Sequence, residues 1–153
     1  MNSVILEEVQ NRNDYMSYLL LADESEDIIN EYINEGELYV IQFDNKEVGV
    51  VLFTFPSFDI VEIKNIAITK KARGHGIGKQ AIQQAVHIFS RRQYTRLIVG
   101  TANSSLGNLA FYQKAGFRFY EIRRDFFLHY LSPVFENGIQ ALDMVVFERT
   151  LRI

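Results

Sequence analysis

Three glycines at every second position, in Arg73-Gly74-His75-Gly76-Ile77-Gly78, constrain this chain more than any other stretch. Without β-carbons, such a loop can turn through left-handed conformations and bring its backbone N–H groups against a bulky anion. Behind it, Ile77, Ala81, Ile82, Ala85, Val86 and Phe89 recur at three- and four-residue spacing, which predicts a helix with one buried face. The free N–H groups at the start of that helix open into the loop, and a negative group placed there is stabilised. Ahead of it, Ile60 to Thr69 reads as a strand. Strand, glycine turn and helix together make a cradle for a pyrophosphate.

The flanking residues narrow the choice of anion. A Walker loop needs Lys followed by Ser or Thr after the last glycine, but Lys79 is followed by Gln80, and Arg73 stands where the first glycine belongs. A dinucleotide fingerprint needs GxGxxG directly after a strand and an acidic residue about 20 positions further on. Here the spacing is GxGxG, Lys70-Lys71-Ala72-Arg73 intervenes, and Leu97-Ile98-Val99-Gly100 ends in no acid. What remains is RxxGxG over Arg73 to Gly78, after a strand ending Asn65-Ile66-Ala67-Ile68. Downstream come Asn103 and then Leu109-Ala110-Phe111-Tyr112-Gln113-Lys114-Ala115-Gly116-Phe117, a helix ending in FYxKxGF. This pair, in this order and with a strand between, resembles the two signatures of the GNAT superfamily of N-acetyltransferases, and specifically a small bacterial-type member with a single domain over residues 1–153.

Composition agrees with that size. A chain of 153 residues can bury a core of its own, and 48% hydrophobic with 23% charged residues argues against a disordered chain. The net charge of -3 disfavours a general nucleic-acid or anionic-membrane binder. Lys70, Lys71 and Arg73 form only a local basic patch, suited to a phosphate-bearing cofactor. With no cysteine there is no disulfide, no thiolate nucleophile and no zinc–thiolate site. His75, His87 and His129 have no metal-ligand spacing, so no metal is expected. Neither a signal peptide nor an apolar run approaching about 18 residues is found, and a cytoplasmic protein is the simplest expectation.

The remaining elements follow from pattern. Val4 to Val9 predicts a strand, with Asn11 or Asn13 capping a helix that carries Tyr15, Met16, Tyr18, Leu19 and Leu20. A second helix starts near Ser25, buries Ile28, Ile29, Tyr32 and Ile33, and stops at Gly36. Leu38 to Phe43 and Glu47 to Phe55 form a hairpin through Asp44-Asn45-Lys46, with Gly49 marking a bulge or a close backbone approach. Strict alternation along Ile60 to Thr69 puts Glu62, Lys64, Ile66 and Ile68 on one face, and Ile63, Asn65 and Ala67 on the other. Arg96 to Thr101 is a strand, a helix runs from about Leu106 to Gly116, and Phe117 to about Phe126 is a strand. A long aromatic connection through Phe126, Phe127, His129 and Tyr130 leads to a final strand, Ala141 to Leu151.

The resemblance implies an α+β fold, with a mixed, mostly antiparallel sheet of seven strands and helices on both faces. It implies direct transfer of an acetyl group from acetyl-CoA to a primary amine in a ternary complex. Arg73, Gly74, His75, Gly76, Ile77, Gly78 and Lys79 then hold the pyrophosphate. Backbone groups of Ile66, Ala67 and Ile68 take the pantetheine arm as an added strand, with an N–H at Ile66 or Ala67 polarising the thioester. For that arm to fit, the fourth and fifth strands must splay apart. One residue is inserted before Tyr112 relative to the usual spacing, so either Asn103 or Asn108 supplies a further cofactor contact.

Tyr112 matches the general acid that protonates the departing thiolate, as a phenol of pKa about 10 stays protonated until needed. Glu62 matches a general base, which the chemistry needs because an alkyl amine of pKa about 10.4 must lose a proton before attacking. The structural alternatives are that Tyr112 packs beside Phe111 and that Glu62 pairs with Lys64. The aromatic connection is a lid over a small acceptor, a homodimer surface or plain cover for the sheet. A small-molecule amine is the expected acceptor, against a protein N-terminus or lysine, and against a sensor that binds acyl-CoA without turning it over.

Overall fold

The computed structural model describes residues 3–151. In chain order it contains β1 (Val4–Glu8), a 3-10 turn (Arg12–Tyr15) running into α1 (Met16–Leu19), α2 (Glu26–Tyr32), β2 (Glu37–Phe43), β3 (Lys46–Ser57) and β4 (Ile60–Ile68). Then follow α3 (Ile77–Arg91), β5 (Arg96–Ala102), α4 (Leu106–Lys114), β6 (Arg118–Arg123), the short strands β7 (Phe135–Glu136) and β8 (Ile139–Gln140), and β9 (Met144–Thr150). Seven strands make one sheet in the order β1-β2-β3-β4-β5-β9-β6, antiparallel except between β4 and β5. The α+β fold expected from the sequence is present, with α1 and α2 on one face and α3 and α4 on the other.

Local chemistry explains most boundaries. Ser25 Oγ accepts from the Ile28 N–H at 3.2 Å, and Glu26 and Asp27 fill the first turn of α2, where the helix dipole favours carboxylates. Its far end is satisfied from a distance: the Arg12 guanidinium donates to the carbonyls of Ile33, Glu35 and Gly36. Asp44 and Asn45 both have positive φ, which makes the two-residue turn that matches strand twist in a hairpin. The apolar face of α3 packs Ile77, Ala81, Ile82, Ala85 and Phe89 against Val51, Phe53, Val61 and Ile63 of the sheet. On the opposite face Leu19, Ile29, Tyr32 and Ile33 cover Leu38, Val40, Val50 and Leu52.

Two of the bulges in the sheet bear on the site. The β2–β3 register skips Val48 next to Gly49, and a β-carbon on Gly49 would run into the Ala67 carbonyl, so bulge and close approach both occur. The second bulge overturns the expected alternation in β4. Leu52 pairs with Asn65 and Phe53 with Ile63, which leaves Lys64 as the extra residue. Because one inserted residue flips every later side chain, Ile63, Ile66 and Ile68 all pack on the α3 side, while Asn65 and Ala67 face α1 and α2.

Three further boundaries differ from expectation. The first helix is a 3-10 turn plus a single α-helical turn, and Asn11 caps nothing with its side chain, spending its amide on Asp14 at 2.8 Å. β6 stops at Arg123 rather than Phe126 because Asp125 takes φ +61 and gives its N–H to Asp143 Oδ1 at 2.9 Å. β9 begins at Met144 because the N–H groups of Leu142 and Asp143 are bound by Asn103 Oδ1, and that of Ala141 by the Val134 carbonyl. The β7–β8 hairpin within the aromatic connection is an addition to the expected elements, although Asn137-Gly138, both at positive φ, is a strong turn signal.

Candidate active site

The parallel ladder between β4 and β5 ends at the Ile63–Val99 pair, although β4 continues to Ile68 and β5 to Ala102. The bulge at Lys64 falls at that point, bending β4 and raising its twist, so the two strands part and leave an unpaired edge. Thr69 donates its N–H to the Val48 carbonyl at 2.9 Å. With the two-residue period of a strand, Ala67 and Asn65 also turn their backbone groups towards β3, whereas those of Ile66 and Ile68 face the gap. The Ile68 carbonyl indeed lies on that side, accepting from Arg73 Nε at 3.0 Å. Of the two N–H groups expected to be free, only that of Ile66 points into the gap.

The gap widens into a cleft of about 750 Å³ running from the glycine loop to the loop between α1 and α2. At the loop end, Gly74 and Gly76 have φ of +83 and +75, with no neighbouring atom where a β-carbon would sit. Backbone conformation therefore selects glycine at both positions. Gly78 is glycine for the opposite reason: a β-carbon would stand 3.1 Å from the Phe111 ring and 3.4 Å from Ile68 Cδ1. Arg73, Ile77 and Lys79 border the same end of the cleft, and Gly76 caps α3. His75 is exposed and does not border it.

The two candidate asparagines part company. Asn103 is occupied with structure: Nδ2 donates to the Gln140 carbonyl at 3.2 Å, and Oδ1 accepts from Leu142 and Asp143. It does not border the cleft, while Asn108 does, its amide held by Thr101 Oγ1 at 3.3 Å. Tyr112 is 4% exposed and borders the cleft through a hydroxyl that has no hydrogen-bond partner among the described residues. Burial alone pushes its phenol well above the ordinary tyrosine range. Its ring also packs on Phe111, Phe117 and Phe147, so the packing role coexists with a hydroxyl that has no protein partner among the described residues.

Glu62 lies elsewhere. The flipped alternation puts it in a separate depression of about 310 Å³ with Glu31, Glu35, Thr54 and Phe55. Tyr32 and Lys64 border both spaces and form the ridge between them. No ion pair links Glu62 to Lys64, whose ammonium lies instead over the Tyr32 ring at 5.3 Å.

Sequence reasoning missed the far end of the cleft. There the Tyr32 hydroxyl donates to Asp23 Oδ2 at 3.0 Å, the Tyr130 hydroxyl donates to Oδ1 at 2.9 Å, and Asn65 Nδ2 donates to the Tyr32 oxygen at 3.0 Å. Phe126, Phe127, Val134 and Glu136 complete that wall, with Glu136 held by Ser105 Oγ. An asparagine inside an apolar strand was the one local signal, because strands disfavour it. The cleft is thus bipolar, with Arg73 and Lys79 at one end and Asp23 and Glu24 at the other. Among the described residues no His, Asp or Glu groups converge as a metal site, and no helix is long and apolar enough to cross a membrane.

A strand-lined gap that ends on a glycine loop and a helix N-terminus is a geometry that can seat an extended, anion-tailed carrier. Residues 6–117 match the model of the acetyltransferase (GNAT) family, and the chain belongs to that family. It is 40% identical over 137 residues to the N-acetyltransferase YvbK of Bacillus subtilis, covering 89% of this chain and 88% of that one. Among solved structures it is similar to a GNAT family acetyltransferase from Elizabethkingia anophelis with acetyl-CoA bound, with TM-score 0.88, 36% identity and coverage of 97% and 99% of the two chains. A Bacillus subtilis acetyltransferase in complex with CoA gives TM-score 0.87 and 38% identity, with 99% of both chains covered.

Proposed function

We propose that this acetyltransferase moves the acetyl group of acetyl-CoA to the primary amine of a small molecule by direct attack within a ternary complex. The observation that carries the reading is the gap opened by the Lys64 bulge, whose unpaired Ile66 and Ile68 edge leads straight to the glycine loop. An amide-bearing arm fits there as an added strand, and a pyrophosphate fits against Gly74, Gly76 and the start of α3, with Arg73 and Lys79 nearby. Both similar structures with CoA or acetyl-CoA bound support this choice of co-substrate. Asn108 supplies a polar contact from the α4 side.

In this reading the Ile66 N–H polarises the thioester carbonyl and stabilises the oxyanion that forms as the amine attacks. Before it attacks, the ammonium gives up one proton, which Glu62 receives through water across the ridge of Tyr32 and Lys64, and it releases a second to solvent as the C–N bond forms. As the C–S bond breaks, Tyr112 protonates the thiolate, for which its buried, neutral hydroxyl is suited. The bridged acceptor end favours a small amine over a protein segment. The test is release of free coenzyme A thiol from acetyl-CoA across a panel of amines, with calorimetry for acetyl-CoA uptake. Uptake without amine-dependent thiol release would reject the transfer reading, and absence of uptake would reject the site.

A further inference from the structure

The reading of the cleft as an acetyl-transfer site leaves open what its acceptor end recognises, and two polar groups there bear on it. The first is Asp23, half-buried between the Tyr32 and Tyr130 hydroxyls, with the Ser25 N–H also donating to Oδ1 at 3.3 Å. All three donors are neutral, and among the described residues no Lys, Arg or His pairs with this carboxylate. These bonds leave the carboxylate without a cationic partner in a place where water is partly excluded. An ionised carboxylate offers about four acceptor positions, so room for one more donor remains. A carboxylate held in this way can serve as counter-ion to a bound ammonium.

The second is Asn65, 5% exposed and bordering the same cleft. Its Nδ2 donates to the Leu19 carbonyl at 3.1 Å and to the Tyr32 oxygen, while its Oδ1 is buried with no partner. A buried acceptor left unmet is costly, and this one directly precedes Ile66, whose N–H faces the gap. A neutral carbonyl oxygen can orient an amine without holding it in the protonated form. Tyr32 joins the two groups, bonding to both. The cation nearby, Lys64, stands between the cleft and the depression that holds Glu31, Glu35 and Glu62, with its ammonium over the Tyr32 ring.

We propose that the acceptor is a primary amine bearing a second positive charge, a diamine or longer polyamine, with Asp23 as counter-ion to the non-reacting ammonium and Asn65 Oδ1 receiving an N–H of the reacting nitrogen. The second ammonium keeps its proton throughout. Only the reacting nitrogen is deprotonated, once before attack and once as its bond to the acetyl carbon replaces the C–S bond; the thiolate takes the Tyr112 proton, which solvent replaces.

Calorimetry on the CoA-loaded protein, comparing 1,4-diaminobutane and spermidine with butylamine, tests this without requiring turnover. At least one of the two polycations should bind roughly tenfold or more tightly than butylamine, the effect expected of a charge-assisted contact. Asp23→Asn, whose Oδ1 can still accept from one phenol while its Nδ2 donates to the other, should erase that preference while leaving CoA affinity unchanged, and Asp23→Glu should retain it. Equal affinity for the three amines, absence of polyamine binding, or a preference that survives in Asp23→Asn overturns the proposal. A binding preference present without thiol release from acetyl-CoA would reject the transfer chemistry and leave the cation seat standing.

Discussion

The Tyr130 hydroxyl donates to Asp23 Oδ1 at 2.9 Å and so ties the aromatic connection to the α1–α2 loop, 107 residues away in sequence. Phe126 and Phe127 border the cleft beside it, so one hydrogen bond holds an aromatic wall across the acceptor end. Tyr130→Phe keeps the ring and removes the bond, a loss of about 1.5–3 kcal/mol for a bond to a charged group. The expected result is an acceptor KM raised several-fold with acetyl-CoA affinity unchanged. Steady-state kinetics with the best amine from the panel, alongside calorimetry, checks this. An unchanged acceptor KM would show that the wall stands without the bond.

Tyr112→Phe should lower kcat by roughly a hundredfold or more, the usual worth of a positioned acid, and leave acetyl-CoA binding intact. Unchanged turnover of a good acceptor would remove Tyr112 from the mechanism. The pH profile carries a second expectation. Burial raises this phenol above the ordinary value near 10, so the acid form persists through neutral and mildly alkaline solution. Loss of activity on an alkaline limb well below pH 10 must then come from another group.

The same buried phenols set an alkaline limit on stability. Tyr32, Tyr39, Tyr112 and Tyr130 are all raised, with burial the leading cause in each. In the unfolded chain these groups ionise near pH 10, whereas in the fold they keep their protons to higher pH. Between those two values the folded state binds more protons, so stability is intact below about pH 10 and falls as pH rises above it. Urea unfolding at a series of alkaline pH values should show the midpoint dropping from there. A flat midpoint through that range would contradict the raised values.

Gly76→Ala and Gly78→Val separate two reasons for glycine in one loop. At Gly76 the cost is conformational, about 1–2 kcal/mol for an L-residue in the left-handed region, with open space around the new methyl group. Acetyl-CoA affinity should weaken moderately. At Gly78 the new side chain meets the Phe111 ring and Ile68, so the start of α3 must shift and uptake should be lost. Calorimetry reads both, and full affinity in Gly78→Val would overturn the placing of the pyrophosphate there.

Phe89 is fully buried and packs edge-on against Phe53 with ring centroids 4.7 Å apart, joining α3 to the centre of the sheet. Phe89→Ala should cost about 3–5 kcal/mol in unfolding free energy, measured by urea denaturation, since the site cannot collapse around so large a loss. A cost under about 1 kcal/mol would mean that α3 repacks freely.

The elements that could be read in advance share a physical property: their determinants are local. Glycine spacing, the apolar face of α3 and the Ser25 cap act within one or two turns of chain, so they are visible in a single window of sequence. Glu62 shows the converse. Its type and spacing suited a base beside the cleft, but the extra residue at Lys64 flipped the face of β4 and left Glu62 across the Tyr32 ridge. Asn103 likewise has the right residue type, yet its amide is consumed in holding the start of β9.

From the order of its residues alone, this chain determined the strand–glycine turn–helix unit and the apolar faces of its helices, because each rests on backbone freedom or short-range periodicity. Tertiary structure decided where β4 and β5 separate, which backbone N–H is free, and that Asp23, Tyr32, Asn65 and Tyr130 meet at one end of the cleft. Those outcomes depend on register between strands and on bonds between residues far apart in the chain, and such long-range pairings are settled only when the whole sheet has closed around its core.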